Sequence, residues 1–396
     1  MYFTGNDYPI TELCIGQENY FLANYNNNTT LSEQRISYYC SNDTDAEAEE
    51  IEAPVYKKTC GVGNIYDPQG TYETPSEARE PGRKMLKEHS SNNNFTVKWE
   101  ISLQEQIGPT HVKLSSYYHG SIGITIFVKR EIIWFCSIVE YEHINFRAVQ
   151  APSRTKGSVL ITFQLFGTLM CFICSHFVAG EGNINSRVEN YKATIQNLKL
   201  PKKLNSKNAN RTPGTDGTDN FDIVFWFGDL NFLVTKERDK IERKVNHLRH
   251  QRTNNYEEIV NYDELNQVIA EDKAFRDFLE GRITFEPTYK YDVETDNYDT
   301  SHKIRIPSYC DRILFKSRQK GSVSCYHYNA VKEIKLSDHR PVFGLFEVTI
   351  RPGVDKVPLS YGEFDRQIYA AGYQRRQMFR AHDVGFDLKK SNCSIQ

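Results

Sequence analysis

Asp229 and Asn231 lie two positions apart, just after an apolar stretch at residues 223–227 and a glycine. An apolar stretch of this length is typical of a buried strand. Side chains alternate along an extended chain, so positions i and i+2 face the same way. We therefore expect a carboxylate, which can accept a proton from water, beside a carboxamide, which can donate to a phosphoryl oxygen. A strand followed by a turn with a solvated aspartate fits the same residues.

Four further polar clusters occur in the chain: His176 at the end of an apolar run, and residues 287–291, 303–314 and 337–341. Each has a plain structural explanation, because a lone histidine is usually a core or edge residue and lysines and arginines are usually surface charges. Asp311 and Arg312 could form an ion pair. Together the clusters supply what phosphate-ester hydrolysis requires: Asp229 can position water, Asp311 can orient His339, and cations can hold a phosphoryl group. A hard metal ion with carboxylate ligands would neutralise charge in the transition state.

The elements that must position these clusters alternate between strands and helices. The apolar pattern predicts helices at 99–107 and 186–200, a helical region at 236–280, and strands at 122–128, 132–139, 312–315, 324–328 and 342–350. Residues 159–178 are apolar enough to span a membrane, but Gly167 in the middle favours a two-stranded hairpin within 158–178. We predict an α/β domain with two packed sheets and helices outside.

The 396 residues suffice for one large domain or two ordinary ones. The net charge of −2 provides no basic field for nonspecific binding of nucleic acid, and we expect no nucleic-acid partner. Nine cysteines without paired spacing indicate a reducing compartment. We predict a mostly disordered or divergent region at 1–97, with a remnant domain strand at 12–19, a catalytic domain at 98–350, and a tail at 351–396 with a short helix near 364–379.

The sequences FWFGDLNF at 225–232 and PSYCDRIL at 307–314 resemble the two signature motifs of the inositol polyphosphate 5-phosphatases. Segments 287–291 and 337–339 are similar to that family as well. The resemblance implies the deoxyribonuclease-like endonuclease/exonuclease/phosphatase fold, a two-sheet sandwich flanked by helices. It also implies Mg²⁺-dependent hydrolysis of the 5-phosphate of phosphatidylinositol 4,5-bisphosphate and 3,4,5-trisphosphate by attack of water.

The resemblance also implies roles for individual residues. Asp229 would activate the attacking water, Asn231 and His176 would contact the phosphoryl group, and Asp311 would pair with His339. The residues expected to bind the substrate, chiefly at its 4-phosphate, are Tyr289, Lys290, Lys303, Arg305 and Arg312. Ammonium and guanidinium groups around one dianion would form charge-assisted hydrogen bonds. The expected metal ligands are Glu18 and Asp338.

The chain departs from the family pattern in two places. Leu233 stands where the family usually has an arginine, so one cation near the site is lost. The family also begins with a strand ending in Trp-Asn, whose Asn helps to hold the metal, and this sequence contains no such pair. We therefore expect N-terminal strand material to be missing. The alternatives are a phosphoinositide-binding pseudoenzyme or truncated isoform that lacks a metal ligand, and a nuclease of the same fold, which the cluster at 287–305 and the slightly acidic charge disfavour.

Cys393 is followed by Ser-Ile-Gln at the end of the printed sequence, which fits a farnesylation signal. One prenyl chain binds membranes only marginally, and Lys389 and Lys390 would add attraction to anionic lipid. We therefore expect a peripheral, lipid-anchored protein on the cytoplasmic face of Golgi, ciliary or plasma membranes. Its expected partners are phosphoinositide lipids, the membrane surface and a prenyl-binding shuttle protein.

Overall fold

The computed structural model describes residues 10–16, 93–146, 156–205, 216–353 and 357–391. The strands in these ranges are β1 (Ile10–Gly16), β2 (His111–His119), β3 (Ile122–Lys129), β4 (Glu140–Asn145), β5 (Gly157–Leu165), β6 (Thr168–His176), β7 (Ile223–Asp229), β8 (Leu279–Glu280), β9 (Asp311–Ser317), β10 (Val323–Ala330) and β11 (Val342–Thr349). The α-helices are α1 (Asn93–Ile107), α2 (Ile184–Asn197), α3 (Arg238–Gln251), α4 (Glu257–Val260), α5 (Glu264–Ala270) and α6 (Arg366–Ser391).

The largest sheet has six strands in the order β4-β5-β6-β7-β9-β8. Strands β6 and β7 run parallel, and their connection contains α2, as a parallel pair requires a crossover. Every residue of β5 and β7 is buried, and all of β6 is buried except its last residue, His176. Their continuous apolar sequences match burial on both faces of the sheet. Two smaller sheets have the orders β1-β11-β10 and β2-β3.

One hydrophobic core lies between the six-stranded sheet and the smaller sheets. Phe163, Phe172 and Phe225 form a row across β5, β6 and β7, with centroid separations of 5.8 and 5.7 Å. Phe346 of β11 packs edge-on against Phe225 at 5.1 Å. Such contacts between neighbouring sheets define a sandwich, which confirms the predicted fold class.

A second core lies between the six-stranded sheet and its covering helices. Trp226 is fully buried there, with Tyr191 of α2 at a centroid separation of 5.2 Å and Phe275 at 5.0 Å. The indole N–H of Trp226 donates to Ser175 Oγ at 2.9 Å. Because Phe225 and Trp226 are neighbours on β7, their side chains enter opposite cores. The sheet is therefore fixed from both faces.

Most of the predicted elements are confirmed, including the hairpin at 158–178, which forms β5 and β6. The predicted strand at 132–139 is wrong, because a 3-10 helix at Ile133–Phe135 precedes β4 and leaves Trp134 61% exposed. Strand β2 was not predicted, since its half-polar sequence shows no clear alternation. The helix near 364–379 is longer than predicted. None of the helices in the described ranges combines the length and the apolar composition needed to cross a membrane.

Strand β1 occupies one edge of the three-stranded sheet, where it pairs antiparallel with β11. It overlaps the segment 12–19 that the sequence predicted as a remnant strand. Its last residue, Gly16, pairs with Phe343, four positions after His339. The last residue of β1 therefore lies beside the first residues of β11. Gln17 and Glu18 lie outside the described residues.

Candidate active site

Three neighbouring strands inside the six-stranded sheet bring one histidine and two aspartates into a row at the ends of the strands. His176 ends β6 and pairs with Asp229, which ends the parallel strand β7. Asp229 in turn pairs with Asp311, which begins the antiparallel strand β9. Neighbouring strands lie about 4.8 Å apart, so paired residues hold their side chains within reach of one another. The strand register alone therefore assembles this row.

Asp229 is a buried carboxylate with basic side chains around it. His176 Nε2 lies 3.1 Å from its Oδ2, and the backbone N–H of Asn231 donates to its Oδ1 at 3.1 Å. Burial raises the pKa of Asp229, but the charges of His176, His339 and Lys156, with the hydrogen bond from His176, outweigh it and lower the pKa to about 2. Asp229 is therefore ionised at neutral pH and can accept a hydrogen bond from water.

Asp311 orients and charges the imidazole of His339. His339 precedes β11, and its Nδ1 lies 2.9 Å from Asp311 Oδ2. Thr288 Oγ1 donates to the same oxygen at 2.7 Å. Burial lowers the pKa of His339, but the charge and hydrogen bond of Asp311 outweigh burial and raise the pKa to about 9. The imidazole is therefore a cation at neutral pH, suited to an anionic oxygen.

Asn231 reaches the site by a different route from the predicted one. The strand ends at Asp229, and Asn231 has a φ of +55°, a left-handed conformation that asparagine tolerates. Its backbone N–H holds Asp229, and its side-chain Nδ2 donates to the carbonyl of Phe177 at 3.2 Å. The alternation of an extended chain is thus the wrong reason for the proximity of Asp229 and Asn231. A tight turn brings them together.

Lys156 belongs to this site, although the amino-acid sequence alone did not indicate a role for it. Its Nζ contacts His176 Nε2, and burial lowers the pKa of its ammonium, opposed by the charge of Asp229. Lys156 directly precedes β5, whose first residue, Gly157, pairs with His176. The position of Lys156 directly before a buried strand was the signal that the sequence offered. Because β5 and β6 pair antiparallel, the residue before β5 lies beside the last residue of β6.

A cationic and aromatic wall stands beside the row. The ring of Tyr289 packs on that of His339 with a centroid separation of 4.4 Å, and burial raises the pKa of its phenol. Lys290 Nζ lies 3.7 Å from Asp338 Oδ2. Arg305 Nη1 donates to Glu181 Oε1 at 2.7 Å, while Lys303 is exposed to solvent. Tyr289, Lys290 and Arg305 form a basic wall beside His339.

Asp299, which was not predicted as a site residue, holds two parts of this wall together. Its backbone N–H donates to the carbonyl of Lys290 at 2.8 Å, and its Oδ2 accepts from the backbone N–H of Arg305 at 2.8 Å. Burial raises the pKa of Asp299, but backbone N–H donors from Arg305 and Ser301 outweigh it and lower the pKa. A carboxylate six residues before an arginine carries no recognisable signal of such a role.

The prediction that Arg312 binds the substrate needs correction. Its side chain is 0% exposed, and it donates to Asp263 Oδ2 at 2.7 Å and to both carboxylate oxygens of Glu280 at 2.8 and 2.6 Å. Arg312 follows Asp311 on β9, so the two side chains leave opposite faces of the strand. Arg312 is therefore part of a buried ion-pair network beneath the site.

The described residues do not by themselves form a metal site. Asp338 supplies an oxygen ligand of the kind that hard divalent cations prefer, but Lys290 is its ion-pair partner. No group of three His, Cys, Asp or Glu side chains is close enough to hold a metal in the described part of the chain. Glu18 and Cys393 lie outside it. The assignment of Glu18 and Asp338 as metal ligands stays a prediction.

The chain matches the profile of a family described as Endonuclease/Exonuclease/phosphatase family 2 over residues 49–345. It is 43% identical over 279 residues to the Mus musculus phosphatidylinositol polyphosphate 5-phosphatase type IV. The alignment covers 70% of this chain and 42% of that protein. The corresponding Homo sapiens protein is 41% identical over 279 residues, with 70% and 43% coverage. The chain thus spans less than half the length of these curated relatives.

A solved structure is similar as well. The inositol polyphosphate 5-phosphatase domain of SPsynaptojanin, in complex with inositol (1,4)-bisphosphate and calcium, aligns with a TM-score of 0.57 and 27% identity, covering 76% of this chain and 81% of that one. This chain therefore belongs to the endonuclease/exonuclease/phosphatase family. Its resemblance to the inositol polyphosphate 5-phosphatases is confirmed, and the Mus musculus and Homo sapiens relatives are both of type IV.

Replacing Arg312 by methionine should destabilise the protein by about 3–5 kcal/mol, because Asp263 and Glu280 would keep buried charges without a partner. Urea unfolding measures this change. The matched control is Arg282→Met, whose side chain is 75% exposed and pairs with Glu257, and which should change stability by no more than about 0.5 kcal/mol. A stable Arg312→Met protein that has lost only substrate affinity would contradict the corrected role.

Proposed function

We propose that this chain is a phosphoinositide 5-phosphatase that acts on phosphatidylinositol 4,5-bisphosphate and 3,4,5-trisphosphate. The observation that carries the proposal is the in-register row of His176, Asp229 and Asp311, with His339 paired to the last of them. A fixed carboxylate for water beside cations for a phosphoryl group is what ester hydrolysis by water requires. The type IV relatives and the inositol bisphosphate bound to the synaptojanin domain support this substrate class.

In the proposed reaction, Asp229 accepts a hydrogen bond from the attacking water. A carboxylate with a pKa of about 2 is a weak base, but a bound phosphate dianion would offset the surrounding cations and raise that pKa. The water oxygen bonds to phosphorus, and the bond from phosphorus to the inositol 5-oxygen breaks. The products are inorganic phosphate and a lipid with a free 5-hydroxyl. One proton of the water passes through Asp229 and solvent to the inositol 5-oxygen, and the other stays on the phosphate.

The other residues of the row hold charge in place. His339, kept cationic by Asp311, would donate to a phosphoryl oxygen as negative charge develops there. His176 and Asn231 would fix Asp229 and contact the phosphoryl group. Tyr289, Lys290, Lys303 and Arg305 would bind the 4-phosphate, as expected from the resemblance.

A divalent cation, which we propose to be Mg²⁺, is part of this function. When bound, it would neutralise phosphoryl charge as a Lewis acid. The calcium bound to the synaptojanin domain supports a divalent-cation site in this family, and Glu18 and Asp338 are the ligands we propose here. Isothermal titration with Mg²⁺ tests the site directly. A protein that binds inositol phosphates but neither Mg²⁺ nor any other divalent cation would be the pseudoenzyme considered above.

Replacing Asp229 by asparagine should lower the rate of phosphate release by about 10²- to 10⁴-fold, because the water loses its acceptor. The assay uses vesicles that contain phosphatidylinositol 4,5-bisphosphate in the presence of Mg²⁺. Asp277→Asn is the matched control, since Asp277 is 74% exposed and has a φ of +62°, which asparagine also adopts. Undiminished release by Asp229→Asn, or no release by the unsubstituted protein at any Mg²⁺ concentration, would refute the proposed function.

We also propose that Cys393 carries a farnesyl group that anchors the protein to Golgi, ciliary or plasma membranes, with a prenyl-binding protein as its shuttle. Mass spectrometry of the protein expressed in eukaryotic cells should find a farnesyl adduct on the peptide that contains Cys393. Cys393→Ser should lack the adduct and shift from the membrane to the soluble fraction. An unmodified cysteine in the membrane-bound protein would exclude this anchor.

A further inference from the structure

Glu181 reaches into the basic wall from the segment that follows β6. Glu181 lies five residues after His176 in the chain. Its Oε1 accepts a hydrogen bond from Arg305 Nη1 at 2.7 Å. Gly180 and Gly182 flank it with φ values of +102° and +74°, which side-chain-bearing residues rarely adopt. This backbone carries one carboxylate across to the guanidinium. The side chain of Glu181 is 59% exposed, so water and solutes can reach it.

Arg305 is fixed by its backbone, and its side chain is available to a ligand. Its backbone N–H is held by Asp299, and its carbonyl accepts from Arg238 Nη1 at 3.0 Å. The charge of Arg305 acts on the phenol of Tyr289, whose ring packs on His339. The guanidinium therefore stands beside the candidate active site. In this structure, Glu181 is the carboxylate that it holds.

We propose that Glu181 is a specificity residue that occupies Arg305 until a strongly anionic headgroup displaces it. A phosphate dianion forms stronger charge-assisted and bidentate hydrogen bonds with a guanidinium than a single carboxylate does. A headgroup without a second phosphate leaves the contact between Glu181 and Arg305 in place and is not affected by it. The carboxylate would thus lower the affinity only for headgroups that bind Arg305 through a second phosphate, and it would narrow the preference for them over singly phosphorylated headgroups. This proposal rests on the proposed function for the identity of the ligand.

The strength of the contact suits such a role. Exposed ion pairs contribute about 0.2–1 kcal/mol, which corresponds to a factor of about one and a half to five in an equilibrium constant. A ligand can overcome a contact of this size, because displacement requires only rotation of an exposed side chain. The contact is also screened by salt, since the Debye length is about 10 Å at 0.1 M ionic strength.

The test compares Glu181→Gln with the unsubstituted protein by calorimetry, using soluble inositol (1,4)-bisphosphate as the probe. The dissociation constant should fall about two- to fivefold at low salt, and the difference should shrink as salt is added. Glu189→Gln is the matched control, because Glu189 is 68% exposed on α2, pairs with Lys192, and gives the same change in net charge. Glu189→Gln should leave the dissociation constant unchanged.

A second comparison ties the effect to the guanidinium. In an Arg305→Met background, Glu181→Gln should no longer tighten binding, because the group that Glu181 occupies is gone. Unchanged or weaker binding by Glu181→Gln would overturn the proposal, since the carboxylate would then be indifferent to the ligand or would position Arg305 for it. Absence of binding by both proteins would overturn it as well. Tighter binding without any phosphate release from lipid would uphold the proposal and contradict the proposed function instead.

Discussion

The hydrogen-bond register between β6, β7 and β9 is the constraint on which the site depends. A shift of one residue on any of these strands would move its terminal side chain to the other face of the sheet. His176, Asp229 and Asp311 would then no longer form a row. The register is fixed because every residue of β7 is buried and two consecutive residues of this strand, Phe225 and Trp226, pack into different cores. The apolar packing thus determines where the charged groups lie.

The site concentrates charge where water is scarce, and its electrostatics follow from that. Asp229 is buried, yet its pKa falls to about 2 because His176, His339 and Lys156 stand around it and His176 hydrogen-bonds to it. His339 is nearly buried, yet its pKa rises to about 9 because Asp311 pairs with it. Beneath them, Arg312 pairs with Asp263 and Glu280 in a separate network. Charged groups on both faces of β9 thus have partners of opposite charge.

The sequence predicted the parts of the molecule that depend on local pattern. Continuous apolar runs identified β5, β6 and β7, and the motifs around Asp229 and Asp311 identified the strand ends that meet at the site. What it could not predict depends on tertiary contacts. The contacts of Lys156 and Asp299 follow from packing between distant segments, which no spacing encodes. Arg312 is different, because alternation along β9 could have excluded it from the face of Asp311.

A double-mutant cycle on Asp229→Asn and His339→Ala tests most directly whether these two residues act in one centre. Residues that act together in one step are strongly non-additive in their effects on kcat/KM. If the row and the His339 pair form a single phosphate site, the double variant should have a kcat/KM close to that of the weaker single variant. If the two losses multiply in full, the residues act independently, and the central claim about the strand register is contradicted.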